Sequence, residues 1–154
     1  MLAGAARYSV AAMGSVSPSI RNLAWFAAAC FLAGWLLPAA SEVPGWMAFR
    51  YALSPLWPYK GSTADGFEDA VPQVLSALTN IVFIVMFVLL IANKVARPSL
   101  YFRVAIACCL LDLYWFVQLL RDGTVSDLRV GYYVWLAAFA IQVLIGWMLT
   151  RAKQ

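Results

Sequence analysis

The chain has 154 residues, 64% of them hydrophobic and 12% charged, with a formal net charge of +4. So little polar surface cannot coat a water-soluble globule of this size, so lipid is the expected solvent. The basic residues sit singly at the ends of apolar runs rather than along one groove-sized face, which argues against nucleic acid and for topology signalling and contact with lipid phosphates.

Residues Met1–Ala12 are small and featureless, and Met13 is a plausible alternative start. The first apolar run, Leu23–Ala40, has the length of about 20 residues that a helix needs to cross a bilayer. An uncut anchor is expected there. The competing reading is a cleaved secretory signal, with Pro38-Ala39-Ala40-Ser41 as its small-residue site. Ala29/Ala33 and Cys30/Gly34 are four apart, a spacing that stacks small side chains on one face where a second helix can approach. Trp25 and Trp35 lie towards opposite ends of the run, where an indole keeps its N–H near the headgroups.

Residues 41–72 form the longest excursion from the apolar runs. Within it Trp46–Leu53 is too short and too aromatic to cross a membrane, and Pro55 and Pro58 end it because proline lacks an amide donor. A short interfacial helix is expected, with Trp46, Phe49, Tyr51, Leu53 and the nearby Trp57 meeting acyl chains, a partner or the bundle mouth. Lys60–Asp69 reads as a solvated turn. Its Asp65, Glu68 and Asp69 do not have the spacing of a calcium loop, so no metal is expected.

The second span, Val74–Ala92, is expected to start just after Pro72, where a missing N–H costs little. Its first half carries Gln73, Ser76, Thr79 and Asn80, whereas Ile81–Ile91 is almost uniformly apolar. A short basic turn, Asn93–Ser99, then makes the second and third spans antiparallel neighbours. Arg103 enters the third span, Leu100–Leu120, one turn deep and can snorkel back to the headgroups. After Arg121-Asp122-Gly123, the aromatic cluster Tyr132, Tyr133 and Trp135 opens the fourth span, Val130–Thr150. There Trp135, Ala138, Gln142 and Gly146 share one helical stripe. The expected fold is therefore all-α: a single domain forming an antiparallel bundle of four transmembrane helices, with a short interfacial helix in the first outer loop.

Charge orients it. Arg7, Arg21, Lys94, Arg97, Arg103, Arg151 and Lys153 occupy segments without acids, while Glu42, Asp65, Glu68, Asp69, Asp122 and Asp127 occupy the alternate ones. Basic residues are retained on the cytoplasmic side, so both termini are expected inside and residues 41–72 outside. Size and loop charge suggest a bacterial inner membrane.

The seventh acid, Asp112, lies within a span. Intramembrane carboxylates cost about 2.5–3.5 kcal/mol on insertion scales and face a partner or water. Counting about 1.5 Å per residue from the outer ends, Asp112 and Asn80 lie roughly 12 Å deep and Gln142 roughly 18 Å. An outward-facing polar pocket is expected from Asp112, Asn80 and Gln142, flanked by Ser76 and Thr79, with Gln118, Tyr114 and Tyr132 nearer its mouth. The alternative is structural, a neutral Asp112 bonded to Asn80 or Gln142 to fix helix register.

Catalysis is poorly supplied. The chain has no histidine, which removes Ser-His and Cys-His nucleophile systems and histidine-held haem or zinc. No second carboxylate joins Asp112 within the spans, no glycine-rich phosphate loop appears, and Cys30, Cys108 and Cys109 form no C-x-x-C pair. A binding subunit without enzyme activity or cofactor is expected, of accessory, assembly or immunity type. Its partners would be membrane lipids and another membrane protein or a second copy. A small proton- or cation-coupled transporter using Asp112 is the second expectation, and a lipid-modifying enzyme the third.

Overall fold

A computed structural model describes residues 16–58 and 67–152, with side chains described for all of these except 67–69. The expected wet turn around Lys60 and Asp65, and the alternative starts Met1 and Met13, lie outside the described residues. The fold is helical, with α1 (Pro18–Leu36), α2 (Gly45–Ala52), α3 (Phe67–Ile91), α4 (Pro98–Arg121) and α5 (Val130–Arg151). Four of these contain apolar stretches of 19, 22, 24 and 22 residues, or about 28–36 Å of helix, long enough to cross a bilayer.

Helix boundaries follow local chemistry, and both ends of α1 and the start of α3 differ from the sequence expectation. α1 starts at Pro18, five residues before Leu23, because Ser17 caps it by accepting from the Ile20 N–H at 3.4 Å and proline fits the first helical position. It stops at Leu36 rather than Ala40. Leu37, pushed to φ −80° and ψ 155° by the following proline, leaves the helix. α3 begins at Phe67, so Pro72 lies inside it rather than at its start, and Glu68 and Asp69 fall on helix rather than in a turn. Pro72 there forfeits one bond near the helix end. Both ends of the bundle's other turns are closed by left-handed residues. Asn93 (φ 55°) lets Lys94 N–H reach the Leu89 carbonyl at 2.8 Å, and Gly123 (φ 72°) lets Thr124 N–H reach Leu119 at 2.9 Å.

The helix expected over Trp46–Leu53 is α2. The segment before it holds a feature not foreseen from the sequence, a two-stranded antiparallel ladder, β1 (Pro38–Ala40) with β2 (Val43–Pro44), turning through Ser41 at φ 50°. This hairpin is tied to the α4–α5 connection. Ser41 N–H donates to the Asp127 carbonyl at 2.6 Å, and Arg129 N–H donates to the Ala39 carbonyl at 3.0 Å. Ala40 also bridges to Leu128. The hairpin is too short to carry a strand pattern, and its stability comes from these tertiary bonds.

The core forms two layers. One joins Ile20 and Ala24 of α1 to Met86 and Leu90 of α3, Tyr101 and Ala105 of α4, and Ile145 and Leu149 of α5. The other centres on Phe31, Phe83 and Phe139, with Phe31 stacked on Phe83 at 4.3 Å and Phe139 edge-on to Phe83 at 5.2 Å. The buried stripe of α1 runs Ile20, Ala24, Ala27, Phe31 and Gly34, not through Ala29, which is exposed. Large side chains fix the helix phase: turning Ala29 inward would expel Phe31 and Ile20 from the core. α1 and α5 cross where a Cβ on Gly34 would stand 2.6 Å from that of Trp135, a contact that only glycine permits.

Polarity is distributed inside out. Asp112, Gln142, Thr79 and Asn80 are all 5% exposed or less, while Phe26, Leu32, Val88 and Leu110 are more than half exposed. A water-soluble bundle does the reverse.

Candidate functional site

The end of the bundle that carries the hairpin and α2 encloses a cavity of about 340 Å³. Its walls are largely aromatic, with Trp35 of α1, Phe49 and Tyr51 of α2, Trp115 of α4, and Tyr132 and Trp135 of α5. Gln73, Ser76, Ala77 and Asn80 of α3 supply most of the polar surface. These four recur at three- and four-residue spacing, which places them on one helical face. Among the described residues that line the cavity, none is charged.

Asn80 organises this wall. Its Oδ1 accepts from the indole N–H of Trp135 at 2.9 Å and of Trp35 at 3.2 Å, joining α1, α3 and α5 through one amide. Its Nδ2 donates to the carbonyls of Ala77 at 3.2 Å and Ser76 at 3.4 Å within its own helix. Every hydrogen-bonding direction of the amide is thus used. Glycine lets α2 close the cavity: a Cβ on Gly45 would lie 2.2 Å from the Gly34 carbonyl, so α2 rests directly on the end of α1. Phe49 then lies against Trp35 at a centroid distance of 5.3 Å.

Asp112 is fully buried behind the cavity wall and does not line it. Its Oδ1 accepts from Thr79 Oγ1 at 3.0 Å and Ser76 Oγ at 3.3 Å, while the Tyr132 hydroxyl donates to its backbone carbonyl at 2.9 Å. Its Oδ2 has no partner among the described residues. Thr79 Oγ1 also stands 2.6 Å from the Ser76 carbonyl, so its one proton serves one of two acceptors.

The expected convergence of Asp112, Asn80 and Gln142 therefore resolves into three separate arrangements. Asp112 joins Ser76, Thr79 and Tyr132. Asn80 joins the two tryptophans. Gln142 Oε1 accepts from the Tyr101 hydroxyl in the inner core layer, away from the cavity it was expected to floor, and its Nε2 has no partner among the described residues. In place of the register-fixing bond expected from Asp112 to Asn80 or Gln142, the carboxyl accepts from two hydroxyls of α3, Ser76 and Thr79. Tyr114 and Gln118 bond to each other four residues apart on α4 and stay outside the cavity. Ser76, Asn80 and Tyr132 do line it.

Of the aromatic segment expected as an interface, Phe49 and Tyr51 turn into the cavity wall, whereas Trp46 and Trp57 are 47% and 70% exposed. Leu53 caps the end of α2. Arg50 lies over the Trp57 ring at 4.7 Å and donates to the Trp57 carbonyl at 2.8 Å, holding the chain beyond α2 against it. Gln73, Trp35, Trp115 and Gly45 were not picked out as site residues from the sequence. The spacing of Gln73 to Ser76, Ala77 and Asn80 carried a signal for Gln73, while the roles of Trp35 and Trp115 depend on how the helices are arranged. No protein-family model, curated protein or solved structure matches the chain.

Proposed function

We propose that this chain is an integral membrane protein that acts by binding, as an accessory or assembly-type subunit, with the aromatic cavity as its ligand site. The observation that carries the reading is a cavity of about 340 Å³ with no charge among the described residues of its wall, held open by an amide bonded to two indoles from different helices. Cavities of this size and polarity suit small apolar ligands. The inside-out distribution of polarity supports lipid as the solvent, because an exposed apolar coat of this extent is stable only against acyl chains.

The four helices then run antiparallel through a bacterial inner membrane with both termini cytoplasmic. This follows from the basic Asn93–Ser99 turn and the acidic segments at the opposite end. The cavity faces outwards, and α2 lies at the outer interface with Trp46 and Trp57 directed to acyl chains or a partner protein. Asp112 acts in packing, tied to the hydroxyls of α3. Purification in mild detergent at native expression tests the reading, since a binding subunit retains lipid or protein companions. A clean monomer carrying neither contradicts it.

A further inference from the structure

Resting on that reading, we infer that the cavity takes an uncharged, membrane-soluble molecule whose flat ring bears carbonyl oxygens, the chemistry of a quinone head. Three independent features of the wall select this class. First, the described residues of the wall offer no charge, so a phosphate, carboxylate or ammonium group would lose its hydration without gaining a counter-ion from them. Second, six aromatic side chains line the space, and a flat ring gains offset or edge-on stacking with them that a flexible acyl chain does not.

Third, the polar groups divide into those already engaged and those still open. Asn80 is saturated by its four bonds, and Ser76 commits its proton to Asp112. Gln73 and Trp115 line the cavity half-buried, and neither the Gln73 amide nor the Trp115 indole N–H makes a hydrogen bond among the described residues. An indole N–H is a donor only, and an amide offers two further donor hydrogens. Three open donor hydrogens on two different helices thus stand beside one open acceptor, the Gln73 carbonyl, so the wall asks chiefly for acceptor oxygens, which a ring carbonyl supplies without charge. A hydrocarbon ring or a bare acyl chain would leave these donors unmet.

Full-length protein in nanodiscs of zwitterionic lipid, titrated calorimetrically with decylubiquinone, tests the assignment. Phosphatidylglycerol and farnesol serve as the anionic and carbonyl-free comparisons. Saturable 1:1 binding of decylubiquinone is expected, with neither comparison competing. Gln73→Leu removes the amide at nearly constant volume, and Trp115→Phe removes the indole N–H while keeping an aromatic ring. Each is expected to weaken binding about five- to tenfold, the weight of one hydrogen bond. Ala48→Leu, which fills the cavity from α2, is expected to abolish it. Unchanged helicity and thermal stability in Gln73→Leu, whose side chain has no bonds to lose, separate loss of ligand from loss of fold. Decylubiquinone binding indifferent to all three variants, absence of binding, or preference for farnesol or phosphatidylglycerol overturns the assignment. If the protein still retains a different lipid or a partner on purification, the binding reading stands without this ligand class; if it retains nothing and binds no probe, both fall.

Discussion

Replacing Asn80 by leucine removes the amide that joins three helices, and its cost can be worked out bond by bond. Its two donor bonds run to carbonyls one turn back in α3, which also serve the helix ladder, so their loss costs little. The two indole bonds, at 2.9 and 3.2 Å, are interhelical. Such bonds within membranes are worth about 0.6 kcal/mol on average and up to about 1.7. Losing both therefore destabilises the bundle by about 1–3 kcal/mol, towards the lower end because Trp35 and Trp135 are only half-buried. Denaturant titration in mixed micelles measures this cost, and ultraviolet resonance Raman reports the indole hydrogen bonds directly. A double-mutant cycle with Trp135→Phe isolates the pair: coupling of at least about 0.5 kcal/mol is expected for groups that share a bond. Strictly additive costs, or indole bands unchanged in Asn80→Leu, would refute the role given to this amide.

Substitutions at three other positions probe the same architecture. A Cβ on Gly131 would stand 2.5 Å from the Pro38 carbonyl and 2.7 Å from that of Leu37, and backbone cannot yield as a side chain does. Gly131→Ala should cost about 1–3 kcal/mol in the same titration. At Gly123 nothing lies within 4 Å, but φ is +72°, so Gly123→Ala should cost only the backbone strain of about 1 kcal/mol. Equal effects at the two glycines would contradict the packing described. Asp112→Asn keeps an acceptor for Ser76 and Thr79 and should fold and bind as the parent does, whereas Asp112→Leu strands the Ser76 hydroxyl, Thr79 retaining the Ser76 carbonyl at 2.6 Å, and should destabilise by about 1–3 kcal/mol. An asparagine variant as damaged as the leucine variant would show that the carboxyl does more than accept those bonds.

Much of the fold was legible because long, nearly unbroken apolar runs leave few alternatives to helix. Run lengths near 20 apolar residues marked the four long helices, and prolines bracketed α2. Boundaries were less legible where two signals competed. Apolarity ran on through Leu37–Ala40, but Pro38 turned the backbone extended. Pro72 read as a helix start, but α3 begins five residues earlier. The hairpin could not be read locally, since its bonds come from Asp127 and Ala39–Arg129 pairing across some 90 positions of sequence. At the site, counting depth along the helices brought Asp112, Asn80 and Gln142 together, but depth leaves rotation open, and the three take separate partners. Gln142 and Asn80 face different neighbours because α5 presents Gln142 to Tyr101, and α3 turns Asn80 towards two indoles. Reading polar residues first also led to a polar pocket, whereas Trp35 and Trp115, which carried no site signal in the sequence, line the observed cavity.

Single-cysteine labelling tests most directly whether this chain is threaded through lipid with its cavity outside. In a background where Cys30, Cys108 and Cys109 are replaced by alanine, Thr124→Cys marks the α4–α5 turn beside the cavity, and Val95→Cys marks the basic turn at the other end. A membrane-impermeant maleimide applied to intact cells with permeable outer layers should label Thr124→Cys at once, and Val95→Cys only after the inner membrane is opened. Labelling of Val95→Cys alone in intact cells would invert the threading. Recovery of both variants in the soluble fraction would contradict lipid as the solvent altogether.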